Sequence, residues 1–339
     1  MDSRFRPNYY STKSTDFTVM LPEEIRKVVS MRVASIELPL TYYCISEAQG
    51  NAHMLLIGDS VAAAPPLPAA RRAILVRVPD GNYEQSWSRK ADAASIENAM
   101  NRAVVHGIAG TVNEAGLFIA DSPVPPPAAP PPCAACPATP RQPVKIYAVD
   151  QASGRSLLFP TEVPLYTFAD PAGLQTTTVH AVRFNIDNKG NLDTATNLQL
   201  RLGWALGFRA AEYEINQGDQ KASLASEAPC NISGPRYGFL SLNDHQRNAC
   251  TSFIVSYGES SLDANIITRI NLTSAMGQEG AFRCAESPGL STVLNRTREY
   301  FGPVNIQKLA VRLYDEYGRI IDLNSTDWSF NLAFEKLYD

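Results

Sequence analysis

The stretch from Gly302 to Asp339, GPVNIQKLAVRLYDEYGRIIDLNSTDWSFNLAFEKLYD, constrains the fold more than any other part of the chain. Leu309, Val311 and Leu313 alternate with Lys308, Ala310 and Arg312. A period of two puts each set on its own face of a strand. Tyr317-Gly318 breaks the run, and Asn324 to Asp327 marks a second turn. Beyond it Trp328, Phe330, Leu332 and Phe334 alternate with Ser329, Asn331, Ala333 and Glu335. Large apolar residues on one face need a second layer over them, while the other face can stay wet. The pattern predicts a C-terminal hairpin within a β-sandwich or barrel. It carries no chemistry of its own.

The rest of the chain reads the same way. Phe17, Val19 and Leu21 alternate in a first strand that Pro22 should end. Val29, Met31 and Val33 share one phase of a second strand, whereas Ile36 and Leu38 fall in the other. That phase change predicts a β-bulge near Ala34-Ser35, with Pro39 closing the strand. Further strands are expected at 53–57, 73–78, 116–120, 144–149, 156–159, 178–186, 239–242, 252–257 and 265–272. The pair 144–149 and 156–159 flanks Gln151-Ala-Ser-Gly154 and reads as a hairpin, and Asn188 to Asn191 reads as a turn. The cleanest alternation joins Leu198, Leu200, Leu202, Trp204, Leu206 and Phe208, and predicts a strand over 198–208. Residues 212–235 and 274–301 read as loop, the latter with room for a short helix.

Only one helix is clear. Ile96, Ala99, Met100, Ala103 and Val104 recur at helical spacing, with Asp92 or Ser95 as N-cap and Gly107 beyond the end. A parallel α/β fold needs helices between its strands, and this chain lacks them. The expectation is an all-β, jelly-roll-type antiparallel β-sandwich with long Pro-rich loops and one short covering helix. Residues 1–13 form an N-terminal arm and 14–339 the β domain. Pro-rich excursions fall at about 60–72 and 123–143, and the second holds ten of the 24 prolines. It is either a surface loop or a divide between two lobes.

Bulk properties exclude some functions. Net charge is −4 and the pI is near 5.7, which argues against a nucleic-acid partner held through phosphates. No apolar run is long enough to span a membrane, and the first residues lack a signal-type apolar core. Without one, the sequons at Asn231, Asn271, Asn295 and Asn324 are put down to chance.

Chemistry-bearing residues are scattered. There is no nucleophile elbow, phosphate loop, zinc-protease motif or dinucleotide fingerprint. No catalytic, cofactor-binding or metal residue is assigned. His53, His106, His180 and His245 lie far apart in sequence, and His180 falls on an apolar phase that suits a hydrogen-bonded core or contact imidazole. Cys133 and Cys136 have redox spacing but lie in a polyproline-like run, so they read as incidental thiols or as a local disulfide or metal pair. Asp315, Glu316 and Asp322 flank a turn, which reads as solvated rather than cation-binding. Lys13, Arg26 and Lys27 make a basic spot without interleaved aromatics. The arm reads either as a frayed terminus or as a docking element. Arg4, Phe5, Arg6, Tyr9 and Tyr10 are the interface candidates, because Arg and Tyr are favoured as interface anchors.

Four segments look familiar in sequence order. They are the opening DSRFRPNYYSTKSTDF with its strand ending in ELP, then VPDGNY at 78–83, LGWALGFR at 202–209, and the region 306–338 containing LYDEYGRIIDLN. Together they resemble a minor capsid protein family of the nucleocytoplasmic large DNA viruses. The two Pro-rich loops depart from that pattern. The resemblance implies a jelly-roll virion protein, either a vertex (penton) subunit or a cementing component beneath the major capsid shell. Its implied partners are the major capsid protein, other minor capsid proteins and further copies of itself, as in a pentamer. Its implied place is the virion, made and assembled in the host cytoplasm. The rival class is a carbohydrate-binding jelly-roll for host attachment. That would need exposed coplanar aromatics, for which Tyr83, Trp87 and Trp204 are the candidates.

Overall fold

The computed structural model describes residues 1–61, 70–83, 95–121, 145–147, 155–159, 163–166, 174–177, 179–215, 224–247, 249–250, 256–257, 260–272, 282–284 and 297–338. In chain order its first strands are β1 (Asp16–Pro39), β2 (His53–Val61), β3 (Ala70–Arg77), β4 (Ile108–Asn113) and β5 (Phe118–Ala120). There follow β6 (Lys145–Tyr147), β7 (Arg155–Phe159), β8 (Val163–Tyr166), β9 (Leu174–Thr177), β10 (Ala181–Arg183), β11 (Glu212–Glu214) and β12 (Leu224–Pro229). The last are β13 (Tyr237–Asn243), β14 (Ala249–Cys250), β15 (Ser256–Tyr257), β16 (Ser260–Ser261), β17 (Ile266–Asn271), β18 (Phe282–Cys284), β19 (Thr297–Asp315) and β20 (Ser329–Lys336). Among the described residues two α-helices interrupt them, α1 (Ile96–Val105) and the single turn α2 (Leu202–Ala205). Among the described residues every strand pairing is antiparallel. The chain is an all-β, jelly-roll-type protein, as its alternation predicts.

The chain divides into two compact units: Met1–Tyr43 with Ser233–Asp339, and the intervening Cys44–Ile232. In the first unit the strand order is β17-β13-β19-β1-β18, with β14 on β19 and β20 on β1. Leu309, Val311 and Leu313 are buried as their phase predicts, and Phe17 lies opposite Val311. The β1–β19 ladder then breaks three times, the middle break setting Arg26 and Lys27 against the single Asn305. Leu21 to Glu24 stand against the single Gln307, and Tyr300 to Pro303 stand against the single Val29. Bulges of this kind let a strand pass from one layer to another. Phe17, Leu242 and Leu309 from one half of the sheet therefore share a core with Met31, Ile36, Trp328 and Phe330 from the other.

Two expectations are corrected here. Pro22 does not end the first strand, because it falls inside a bulge where the ladder asks for no donor. The C-terminal hairpin does not form either. The connection 316–328 is too long for a tight turn and buries its own Ile321 and Leu323. β19 and β20 instead flank β1, with Val28 facing Val304 on one side and Lys336 on the other. The bulge expected near Ala34 is present: Val33 faces Leu332 and Ser35 faces Asn331, so Ala34 is the extra residue.

In the second unit a six-stranded sheet runs β11-β10-β2-β3-β4-β5. Met54, Leu56, Ile74 and Val76 on one face meet Ile96, Met100 and Val104 of α1, together with Phe184 and Leu202. Leu55, Ile57, Ala73 and Leu75 on the other face meet Val112, Phe118 and Ile186. Burial on both faces explains the unbroken apolar run of β2. The covering helix is the expected one, with Ser95 Oγ accepting from the Asn98 N–H at 3.2 Å. The β6–β7 hairpin forms as predicted, while its turn lies outside the described residues.

The strand expected over 198–208 is a correction. Leu198–Leu200 is a 3-10 turn and α2 follows, so Leu202 and Leu206 are buried on one helical face. The small residues decide this. A Cβ on Gly203 would stand 2.5 Å from the Phe184 ring, and Gly207 has φ +97 with the Ala228 carbonyl against it. Residues 212–235 and 274–301, expected as loop, contain β11, β12, β18 and the start of β19. From both ends β2 and β3 run into the 60–72 stretch, pairing Ser60 with Arg71 and Val61 with Ala70. Residues 62–69 and all of 123–143, with Cys133 and Cys136, lie outside the described residues, as does Trp87.

Candidate assembly surface

The N-terminal arm folds onto the start of β20 in its own unit. Ser3–Phe5 forms a 3-10 turn capped by Asp2, whose carboxylate accepts from the Arg4 N–H and pairs with the Arg4 guanidinium. Ser3 N–H donates to the Trp328 carbonyl at 2.9 Å, and Phe330 N–H donates to the Met1 carbonyl at 2.8 Å. The arm thus extends the sheet by one short strand. A frayed terminus is not what the chain forms.

Asp327 is the centre of this contact. Its carboxylate accepts from Ser3 Oγ at 2.8 Å, Arg6 Nη1 at 2.6 Å and Tyr9 Oη at 3.0 Å. Arg6 is buried, and it also donates to the carbonyls of Ser3, Tyr9 and Thr12 while lying 3.9 Å over the Tyr9 ring. Trp328 Nε1 donates to the Ser14 carbonyl, closing the loop. The five candidates therefore separate by role. Arg6 and Tyr9 hold the arm in place, Arg4 pairs with its cap, and Phe5 and Tyr10 point outward at 80% and 101% exposure. Two large aromatics on a fixed support are the rigid, low-entropy form of an interface anchor.

Each of the four familiar segments sits at a structural node. In 78–83, Asp80 accepts from the Glu47 N–H, Asn82 accepts from the Cys44 N–H, and Gly81 bridges Ile45. In 202–209, Gly203 and Gly207 make the close approaches described above, and the Arg209 guanidinium lies 4.0 Å over the Trp204 ring. In 306–338, Asp315 accepts from the N–H groups of Tyr317 and Arg319 and from Arg319 Nε.

The acidic turn is a further correction. Asp315 and Glu316 are buried and ion-paired, to Arg319 and Arg236 respectively, rather than solvated, while Asp322 is exposed as expected. Among the described residues no group of three or more His, Cys, Asp and Glu could hold a metal. The histidines stay apart: buried His53, whose pKa is lowered by desolvation; His106 at the end of α1; His180 with Asp59 at 2.5 Å; and His245 in a left-handed turn. The aromatics named for sugar binding do not form a platform among the described residues, since Trp204 is covered by Arg209 and Tyr83 Oη donates to the Pro79 carbonyl.

Two features escape the sequence reading. Asp244 is fully buried between Arg298 Nη1, at 3.0 Å, and Tyr300 Oη, while Arg298 also donates to the carbonyls of Leu242 and Asn265. Burial and the Asp244 carboxylate push the Tyr300 hydroxyl pKa far up. Nothing in the local pattern pairs residues so distant in sequence. The second is the β19 bulge, where Phe301 is exposed and a Cβ on Gly302 would meet nothing within 4 Å. Strand alternation hides a residue that stands outside the ladder.

No helix among the described residues is long and apolar enough to cross a membrane. No family model and no curated protein matches the chain. Solved structures similar to it include the mavirus penton protein, at 10% identity and a TM-score of 0.34, covering 98% of this chain and 94% of that one. Another is a chain of the Sputnik virophage structure, at 13% identity and a TM-score of 0.35, covering 99% of this chain and 96% of that one.

Proposed function

We propose that the chain is a structural, non-enzymatic minor capsid protein of a large icosahedral double-stranded DNA virus. It assembles through protein–protein contacts, as a vertex (penton) subunit or as a cementing component beneath the major capsid shell. Its partners on this reading are the major capsid protein, other minor capsid proteins and copies of itself. The observation that carries the reading is the arm. The opening Asp-Ser-Arg-Phe-Arg, part of the likeness to that capsid family, supplies the cap, the Asp327 ligands and one outward aromatic. In physical terms, sequence is spent on presenting Phe5 and Tyr10 rather than on shaping a pocket.

Assembly of this kind works by burial. A standard interface takes roughly 800 Å² from each partner, and several modest contacts around one subunit hold it by avidity. Phe5 and Tyr10 touch little of their own chain, so replacing both with Ala separates assembly from folding. The double variant should melt like the wild type and fail to enter particles when expressed in place of it during infection. Incorporation at the wild-type level would sink the proposal.

A further inference from the structure

Along β20 the backbone groups divide by parity. Leu337 N–H donates inward to the Lys27 carbonyl of β1, so odd-numbered residues face β1. Trp328 and Phe330 face the other way, where they bond Ser3 and Met1 of the arm. β20 is regular throughout, the extra residues Val29 and Ala34 both belonging to β1. The outward edge therefore continues past the arm with the N–H and C=O groups of Leu332, Phe334 and Lys336. No strand among the described residues pairs with that side.

Free edges are normally protected by charge, proline, bulges or shortness. Elsewhere the chain follows this rule. β11 is three residues long and carries Glu212 and Glu214, and the exposed bulge of β1 carries Pro22, Glu23 and Glu24. The outward edge of β20 reads Asn331-Leu-Ala-Phe-Glu-Lys336, with its charges only at the far end. Just beyond it Leu337 and Tyr338 are 51% and 100% exposed. An unprotected apolar edge that already accepts one short strand, from the arm, is built to accept more.

We infer that this edge pairs antiparallel with the same edge of a second copy, about a two-fold axis at Phe334. The register is self-complementary. Phe334 meets its own counterpart, Lys336 meets Leu332 and Glu335 meets Ala333, so no like charges lie opposite. Leu337 comes opposite the partner's Asn331, beyond which the partner's Phe330 already pairs with its own Met1. The ladder ends there, and the two exposed C-terminal residues lie against the partner's arm. Such an isologous contact merges two sheets into one. It needs no virion and is independent of the capsid assignment.

Sedimentation of the purified full chain should show a dimer of the 37.0 kDa protein. Lys336→Pro deletes an outward donor while leaving every bond to β1, and should weaken the dimer at least tenfold with the melting temperature unchanged. Lys336→Ala keeps the donor and should stay dimeric. Should the proline variant misfold, hydrogen exchange on the wild type decides. The Leu332 and Phe334 amides should be protected at high concentration and exchange quickly on dilution. A monomeric wild type, an oligomer that keeps its mass in a folded Lys336→Pro variant, or exchange independent of concentration would overturn the inference.

Discussion

Asp327 and Asp244 show at the residue scale how a single carboxylate can organise a distant segment. Removing Asp327 leaves Arg6 buried with only carbonyl partners. Breaking a buried pair by deleting one member costs more than the pair contributes. Asp327→Ala should therefore lose about 2–3 kcal/mol of stability in a denaturant titration and raise the exchange rate of the Ser3 amide. Asp244 is the more severe case, because its side chain has no exposure at all. Asp244→Ala should cost about 3–5 kcal/mol, and Tyr300→Phe about 1–2 kcal/mol. The double variant should fall short of the sum, since both changes act on one network. Strict additivity would show that Tyr300 and Asp244 do not interact.

Cys44 offers a pH test at the same scale. Burial pushes its thiol pKa up to about 11 from an ordinary 9.0. The folded state then holds its proton where the unfolded state releases it. Stability from this group is full below pH 9 and is lost as pH rises towards 11. Cys44→Ala should flatten that part of the stability profile. In the wild type at pH 8, peptide mapping after alkylation should find Cys44 unmodified until denaturant is added, because the thiolate is the nucleophile. Rapid labelling of folded protein would contradict this.

At the scale of elements, the chain was legible wherever a strand lay half-buried in a regular ladder. Leu309, Val311 and Leu313, the bulge at Ala34 and the helix from Ile96 all follow from period alone. Period failed over 198–208 because two-residue alternation and an i, i+4 pair coincide at Leu202 and Leu206. The glycines held the missing signal, yet what they approach, Phe184 and Ala228, is set by tertiary structure. A Cβ at Gly207 would have to occupy the space of a backbone carbonyl at positive φ, whereas Gly203 has no positive φ and a Cβ there meets only the buried Phe184 side chain. Gly207→Ala should thus be the more damaging substitution, and Gly203→Ala should cost about 1–3 kcal/mol. If thermal melts ranked the two in reverse, α2 would not be held by its contact with residue 228. The candidate site was half legible. Residue type singled out the arm, but only the fold shows that Arg6 and Tyr9 anchor it while Phe5 and Tyr10 are presented.

At the scale of the whole molecule, both ends of the chain build one unit and residues 44–232 are set between them. Alternation cannot reveal this, since it reports faces and not which strand lies next to which. The cores bear the division out: one apolar cluster draws only on residues up to Tyr42 and from Leu240 onward, and the other two only on residues between Ile45 and Ile232. A segment that owns its core and all the strands of its sheet should fold alone. Expressed by itself, 44–232 should give a cooperative thermal transition and a β-type circular dichroism spectrum. Residues 1–43 joined by a short Gly/Ser linker to 233–339 should do the same. Loss of cooperativity in the 44–232 fragment would mean that its sheet relies on the rest of the chain, and the chain would then be one folding domain in two lobes. Two independent transitions would make the unit built from both termini, which carries the arm and the open β20 edge, a self-sufficient carrier of the proposed contacts.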